Sequence, residues 1–320
     1  MFRNLMRLVL CSLMLTGAAW AQYPDKPIRF IVPYAPGSSP DAICRLIGAE
    51  LSKQFGKQLV IDNKPGASAM IGTEIAARAT PDGYTIVYAN IGTLSINQSL
   101  YSKMPYNAEK ELTPIGLLGF VQNGLVVRND LPVKSVPELI DYAKKNPGKL
   151  TMASSGNGTT GHLGGELFKA MTGTFMVHVP YKGSAPAFTD LIGGQVDLMF
   201  DNLVTALPQA KGGKVRLLGV SGSKRSPSTP ETPTIEEQGV KGYETIAWGG
   251  LAAPAGTPRD IVLRLNAELN KALDSPVVRA GYASMAFEAS PGPPEALFNL
   301  ARGETPKWGA VIKRAGAKVD

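Results

Sequence analysis

Residues 31–47 read IVPYAPGSSPDAICRLI: the end of an apolar strand, a turn of Pro, Gly and Ser, and the start of an amphipathic helix. Ile43, Leu46, Ile47 and Leu51 recur at helical spacing, whereas the upstream IRFIVPY and the downstream QLVIDN read as buried-type strands. Strand, helix and strand in succession imply a parallel sheet with helices on its faces. Ser39 is placed to cap the helix, Pro40 suits its first position, and Asp41 suits the positive first turn. The backbone N–H groups around Gly37 to Asp41 would then point out of the strand's carboxyl end as an anion site. A routine capped helix is the competing reading of that one loop.

The turn has an echo. PYKGSAPAFTDLI begins at Pro180, 147 residues after Pro33, with Ser184 near the start of a second helix. Between them the alternation continues: a helix around Ile71 to Ala79, a Pro81-Asp82-Gly83 turn and the strand YTIVYAN. A new unit begins near Val121, with helix VPELIDYAKKNPG, strand KLTMASS, helix HLGGELFKAMTG, strand VHVPY, helix APAFTDLIGG and strands VDLMF and VRLLGVSG. Two amphipathic helices, RDIVLRLNAELNKALDSP and PEALFNLARGETPKWGAVIKRAG, close the chain with no clear strand between them. They must pack on something already built, so the chain is expected to cross back near Ala247 to Leu251 and cover the first domain. The predicted fold is α/β and two-lobed, each lobe a mixed, mostly parallel sheet flanked by helices, with a cleft between them. Residues 22–120 plus 250–320 form lobe 1 and residues 121–249 form lobe 2. The Ser/Thr/Pro-rich SGSKRSPSTPETPTIEEQG reads as a surface connection.

Composition bounds the function. The chain has 320 residues, 18% of them charged and 44% hydrophobic, as in ordinary globular proteins. MFRNLMRLVLCSLMLTGAAWAQ has Arg3 and Arg7, an apolar run from Leu8 to Leu15, and the small-x-small site Ala19-Trp20-Ala21. It is expected to be a secretory signal, residues 1–21, cut after Ala21, because the run is too short to span a bilayer. Removing Arg3 and Arg7 from 33 basic residues leaves 31 against 26 acidic ones, a net charge of +5. Cys44 is then the sole cysteine, which excludes an internal disulfide and suits a small core residue. Basic residues are dispersed without an aromatic ladder, so nucleic acid is not an expected partner.

Two further loops carry polar groups at strand ends. ASSGNGTTGHLGGE offers the hydroxyls of Ser154, Ser155, Thr159 and Thr160 with Gly156 and Gly158 between them. DLMFDN sets Asp201 and Asn202 where they could meet an amine or hydroxyl, or merely turn the chain. YANIGTLSINQSLY carries Asn90, Thr93, Ser95 and Asn97, as ligand groups or as caps. In open α/β sheets ligands bind outside the carboxyl ends of strands, so these loops should line the cleft. Their donors are mostly neutral and suit a small carboxylate.

Chemistry of other kinds finds little support. Ser154-Ser155-Gly156-Asn157-Gly158 is not the G-x-S-x-G elbow, and a Ser155/His162 pair is the one hydrolase arrangement open to the chain. His162 and His178 are the only histidines and look scattered, so no metal cluster is expected. GNGTTG matches G-x-G-x-x-G through Gly156, Gly158 and Gly161, but about 20 residues on the sequence reads HVPYKG, without an acid to hold a ribose. No cofactor is expected.

Five stretches together resemble the Bug family, the periplasmic solute receptors of tripartite tricarboxylate transporters: YPDKPIRFIVPYAPGSSPD, VIDNKPGASAMIGTEIAARATPDGYT, ASSGNGTTGHLGGELFK, VPYKGSAPAFTDLIGGQVDLMFDN and APAGTP. The resemblance spans the mature chain. It implies a Venus-flytrap periplasmic binding protein of type II, probing no chemistry of its own, that closes on a small organic acid and delivers it to membrane permease subunits as a monomer. It also implies a carboxylate grip at Tyr34, Ala35, Pro36, Gly37, Ser38, Ser39 and Asp41. A second grip falls at Ser154, Ser155, Gly158, Thr159, Thr160 and His162, and the strand-end loops add Asn90, Thr93, Tyr181 and Asp201. Ser38 stands where the family commonly has a second glycine, which opens the site to acids other than the common dicarboxylates and citrate, aromatic acids among them. An exported hydrolase and a sensory module contacting a membrane histidine kinase are the alternatives.

Overall fold

The structure is a computed structural model and describes residues 23–316. The expected signal and its cleavage site lie outside the described residues. Among those residues no helix is long and apolar enough to cross a membrane.

The opening stretch forms β1 (Ile28–Val32) and α1 (Ser39–Phe55), followed by β2 (Leu59–Asn63), α2 (Met70–Ala77) and β3 (Thr85–Asn90). β1 lies between β2 and β3 and is parallel to both. This is the geometry that strand-helix-strand alternation requires. Helix α1 buries Ile43, Cys44, Ile47 and Leu51 on one face and ends at Gly56, whose φ of 62° closes the helix in the left-handed region. A π-helical turn (Gly92–Ile96) runs into α3 (Asn97–Leu100), and α4 (Ala108–Glu111) leads to the long β4 (Leu112–Val127).

β4 joins the two halves of the molecule. The second half continues with α5 (Val136–Lys145), β5 (Thr151–Ser154), α6 (Thr160–Thr172), β6 (Val177–Pro180), α7 (Ser184–Ile192), β7 (Leu198–Asn202), α8 (Leu203–Lys211) and β8 (Arg216–Val220). The chain returns through β9 (Ile246–Pro254) and ends in α9 (Arg259–Asp274), α10 (Pro276–Ser284), β10 (Phe287–Ala289) and α11 (Ala296–Ala315). Residues Leu112 to Gln122 of β4 pair with β9, whereas Asn123 to Val127 pair with β7 and β8. The chain therefore passes from one half to the other at Gln122–Asn123 and comes back at Thr245–Ile246, two points held together by the bond from the Thr245 amide to Ser221 O and that from the Ser221 amide to Asn123 O, both 2.9 Å.

The strand order is β2-β1-β3-β9-β4-β7-β5-β6, with β10 and β8 also on β4. The outer pairs are parallel and every pair made by β4 and β9 is antiparallel. Two mixed, helix-flanked sheets were expected; the antiparallel share is larger than strand-helix alternation suggests, because β4 and β9 run antiparallel to all their neighbours and β4 serves both halves. In the second half the sheet's two faces bury alternate residues. Leu125, Met152, Leu198 and Phe200 pack with α5 and α6, and Val126, Ala153 and Met199 pack with α7 and α8.

Several elements were not legible in sequence, the crossing strands β4 and β9 and the short α3 and α4 among them. α8 lacks a cap signal and carries Pro208 within it. α10 and the three-residue β10 occupy the interval read as strandless. α9 covers the first half, its Leu265, Leu269 and Leu273 sharing a cluster with Ile43 and Ile47. α11 reaches further than expected: Leu297 and Trp308 share a cluster with Leu163 of α6, so the tail touches both halves.

Candidate functional site

The topology aligns the halves strand for strand. β1, β2 and β3 of the first correspond to β5, β6 and β7 of the second, each flanking a crossing strand. The turn that corresponds to Pro33–Ser38 is thus the one after β5, at residues 155–159. The PYKGSA turn after β6 corresponds instead to the KPGASA turn after β2, so the sequence echo joins two positions that are not equivalent.

Six strand-to-helix turns, those after β1, β2, β3, β5, β6 and β7, open on one cavity of about 640 Å³, in the range that encloses drug-sized organic ligands. Residues 33–35, 38–40, 65–69 and 90–92 line it from one side and residues 155–161, 180–184 and 201–202 from the other, with Tyr88, Tyr101, Val121, Ala247, Trp248 and Phe287 completing it. Of the expected residues Tyr34, Ala35, Ser38, Ser39, Asn90, Ser155, Gly158, Thr159, Thr160, Tyr181 and Asp201 reach the wall. Asp41, Thr93, Ser154 and His162 are buried behind it, and Pro36 and Gly37 are exposed outside it.

Capping decides who faces the cavity. Ser38, not Ser39, caps α1: its Oγ accepts from the Asp41 amide at 3.4 Å and donates to Ala35 O at 2.7 Å. Ser39, one residue into the helix, is buried and its Oγ has no partner. The hydroxyl added at position 38 is therefore spent on the helix, and the free one is Ser39's. Asp41 is likewise structural. It accepts from the Gly37 amide and from Asn63 Nδ2, both at 2.9 Å, and from Arg45 Nε at 3.0 Å. Burial works to raise it, but those bonds and the Arg45 charge hold its carboxyl below the usual carboxylate range. Thr93 closes a turn, donating to Asn90 O at 3.2 Å and accepting from the Asn90 amide at 3.0 Å. Asn90 holds the Tyr34 hydroxyl, its Nδ2 donating at 2.8 Å.

The second jaw is built on its own buried frame. Thr159 caps α6, accepting from the His162 amide at 3.2 Å. His162 Nδ1 accepts from the Gly158 amide at 3.1 Å, and Ser154 Oγ lies 2.7 Å from His178 Nε2. The two imidazoles, scattered in sequence, stack at 4.1 Å with 18° between their planes. Burial pushes His162 down to about 3, helped by His178 and Lys169, and pushes His178 down to about 4. Both are neutral struts under the 154–160 loop. Glu166 brings a carboxylate within 4.8 Å of both rings, correcting the expectation that no ligand-type cluster forms. A metal must lie in the plane of each imidazole it binds, and near-parallel stacked planes share no such point at bonding distance. Glu166 is moreover paired with Lys169 at 2.7 Å. As built, the cluster is scaffold.

Of the three glycines of GNGTTG, Gly156 and Gly158 take φ of 140° and 74°, which favour glycine, and Gly161 is required by packing. A Cβ on Gly161 would lie 2.1 Å from Phe200 O, so α6 can approach β7 only through a glycine there. The Ser155/His162 pair does not form; His162 faces Gly158 and His178 instead. Ser154, the hydroxyl that does meet a histidine, is fully buried.

Sequence reasoning missed the turn after β2. Ala67, Ser68 and Ala69 take φ of 45°, 51° and 70°, three successive non-glycine residues in the left-handed region. This strain, of order 1–3 kcal/mol per residue, is maintained by surrounding contacts. Ser68 Oγ donates to Asn157 O across the cavity at 2.8 Å and lies 2.5 Å from the Tyr101 hydroxyl, while Asn97 Nδ2 donates to Ser68 O at 2.9 Å. The available signal was positional: KPGASA stands between strand and helix like every other turn of the site.

Electrostatically, α1, α6 and α7 present their N-termini to the cavity, where first-turn amides have no acceptor one turn back. The lining has one cation, the exposed Lys182, and one acid, Asp201. Burial raises Asp201 to about 6 against the bonds it receives, among them Thr205 Oγ1 at 2.5 Å and those from Ser184 and Ser155. Behind it Asn202 Nδ2 donates at 2.6 Å to Oδ1 of the fully buried Asn123, at the point where β4 crosses.

The fold has close counterparts. An R. palustris protein solved with adipate superposes with a TM-score of 0.90 at 39% identity, covering 92% of this chain and 98% of that one. MatC from Rhodopseudomonas palustris, solved with bound malate, gives 0.86 at 33% identity, covering 91% and 100%. BugT of Bordetella pertussis is 33% identical over 298 residues, 93% of this chain and 91% of BugT. Residues 43–317 match the tripartite tricarboxylate transporter family receptor, whose members are ligand-binding receptors and not enzymes. A two-lobed α/β fold, a cavity walled by six strand-to-helix turns and a match over most of its length place this chain in the tripartite tricarboxylate transporter family of periplasmic solute-binding receptors.

Proposed function

We propose that the protein captures a small organic carboxylate in the periplasm, between its two lobes, and delivers it to the permease of a tripartite tricarboxylate transporter. The observation that carries this reading is the convergence of three helix N-termini, α1, α6 and α7, on a cavity whose deep wall has no lysine or arginine. Amide groups and helix dipoles at such termini hold a carboxylate without a cation. The relatives solved with adipate and malate support the same ligand class.

In this reading the ligand bridges the jaws and shifts an open-closed equilibrium, with bending at Gln122–Asn123 and Thr245–Ile246. The second lobe in this reading runs over residues 123–245, close to the expected 121–249, a division supported by the pairing of Gln122 with Ile246. The receptor acts as an exported monomer, its signal removed after Ala21. Isothermal titration of the purified protein against a panel of organic acids tests the reading. Micromolar or tighter binding of at least one acid is expected; a folded protein that binds none of them refutes it.

A further inference from the structure

The cavity is lopsided. The carboxylate-holding amides and free hydroxyls belong to the turns at its polar end. The floor is a different surface. Val121 pairs with Ala247 in one direction and with Phe287 in the other, so the three side chains share one face of the sheet. Tyr88 joins them in a single apolar cluster that continues into the core of the first lobe. All four are at most 8% exposed, and all four line the cavity. Among the described residues no cation or helix terminus faces this floor. Trp248 supplies the one unspent donor beside it: its indole Nε1 is buried and without a partner.

We infer that the ligand of this receptor is a monocarboxylate with an uncharged, apolar body of aromatic size, its carboxylate at the helix N-termini and its ring on the Tyr88/Val121/Ala247/Phe287 floor. The inference rests on the carboxylate-receptor reading given above and narrows it. A second carboxylate reaching the floor would give up its hydration for a single donor, the Trp248 N–H, with no cation there to offset its charge. Placed instead toward the opposite wall it would meet Asp201, an acid that no lysine or arginine pairs among the described residues. Lys182, the lining's cation, is exposed at the rim, where water screens it. An apolar ring has neither penalty, and each CH group removed from water on the floor adds favourably. The Trp248 N–H can then donate to a neutral ring substituent such as a hydroxyl or carbonyl oxygen.

Titration calorimetry with benzoate, phenylacetate, 3-phenylpropanoate, adipate, malate, citrate and uncharged benzyl alcohol tests this. At least one aromatic monocarboxylate should bind about tenfold or more tighter than adipate, malate and citrate, a difference of 1.4 kcal/mol. Val121→Thr, close in volume but polar, should weaken that aromatic acid more than it weakens any dicarboxylate. If adipate, malate or citrate binds as tightly as the aromatic acids, the inference falls and the carboxylate-receptor reading stands. If benzyl alcohol binds as tightly as the acids, or a folded protein binds none of the panel, both fall.

Discussion

Ser68 Oγ donates to the main-chain oxygen of Asn157 at 2.8 Å, a hydrogen bond that ties the turn after β2 to the loop after β5 across the cavity. It needs no ligand. The two residues belong to opposite lobes, and the strained turn that presents Ser68 is anchored by Asn97 and Tyr101. Closure thus has a contribution from the protein itself, and that contribution should act equally for every ligand.

Ser68→Ala should therefore weaken all bound acids by a similar factor, about two- to tenfold for one hydrogen bond of 0.5–1.5 kcal/mol. Small-angle scattering of the ligand-free variant should show a larger radius of gyration than the parent. A change in ligand preference, with no change in the free protein's dimensions, would mean that Ser68 acts as a ligand contact and not as a latch.

Ser38 and Ser39 should separate stability from affinity. Ser38→Ala removes the cap of α1 and should cost about 1 kcal/mol of stability in urea unfolding. Ser39→Ala removes an unpartnered buried hydroxyl that faces the cavity. It should leave stability nearly unchanged and lower affinity in titration.

Asp201 makes stability depend on pH in an unusual direction for a carboxylate. Its folded value, about 6, lies above the ordinary 3.8 because burial disfavours the charge. Below about pH 4 both states hold the proton and the penalty is absent. As pH rises to 6 the unfolded chain ionises first, and stability falls by about 3 kcal/mol for a shift near 2 units. Asp201→Asn should remove this loss, so unfolding free energies of parent and variant, compared from pH 4 to 7, should diverge with rising pH.

The histidine pair works the opposite way. Unfolded imidazoles take up protons below about 6.5, whereas His178 resists to about 4 and His162 to about 3, with Lys169 opposing protonation of both. Their contribution is present above 6.5 and is lost as pH falls through that window. A double His162→Asn, His178→Asn variant should show a flatter acid limb in thermal unfolding, and comparison with Asp201→Asn separates the two opposed slopes. Glu166, paired with Lys169, stays in place in both.

Gly161→Ala should be among the costliest single-atom-scale changes in the site. The new Cβ would lie 2.1 Å from Phe200 O, so α6 must shift away from β7 and carry the jaw with it. A loss of about 1–3 kcal/mol is expected from overpacking, together with weaker binding, as read by unfolding and titration of the same sample.

The sequence by itself determined the α/β class, the positions of most strands and helices, and the rule that ligands sit at strand ends. Those follow from local periodicity and from turn chemistry, which act over a few residues. IRFIV followed by a capped amphipathic helix could become little else. It also supplied eleven of the residues that reach the cavity wall, since the turns themselves are short. Tertiary structure alone decided which side chain of each turn faces inward. Ser38 and Ser39 are adjacent and chemically alike, and only the rotation of α1 against β1 makes one a cap and the other a free hydroxyl. Tertiary structure likewise brought His178 beneath His162, drew the apolar floor from four strands, and recruited the turn after β2. Such contacts join residues 16 to 166 positions apart, and no local pattern records a distance of that kind.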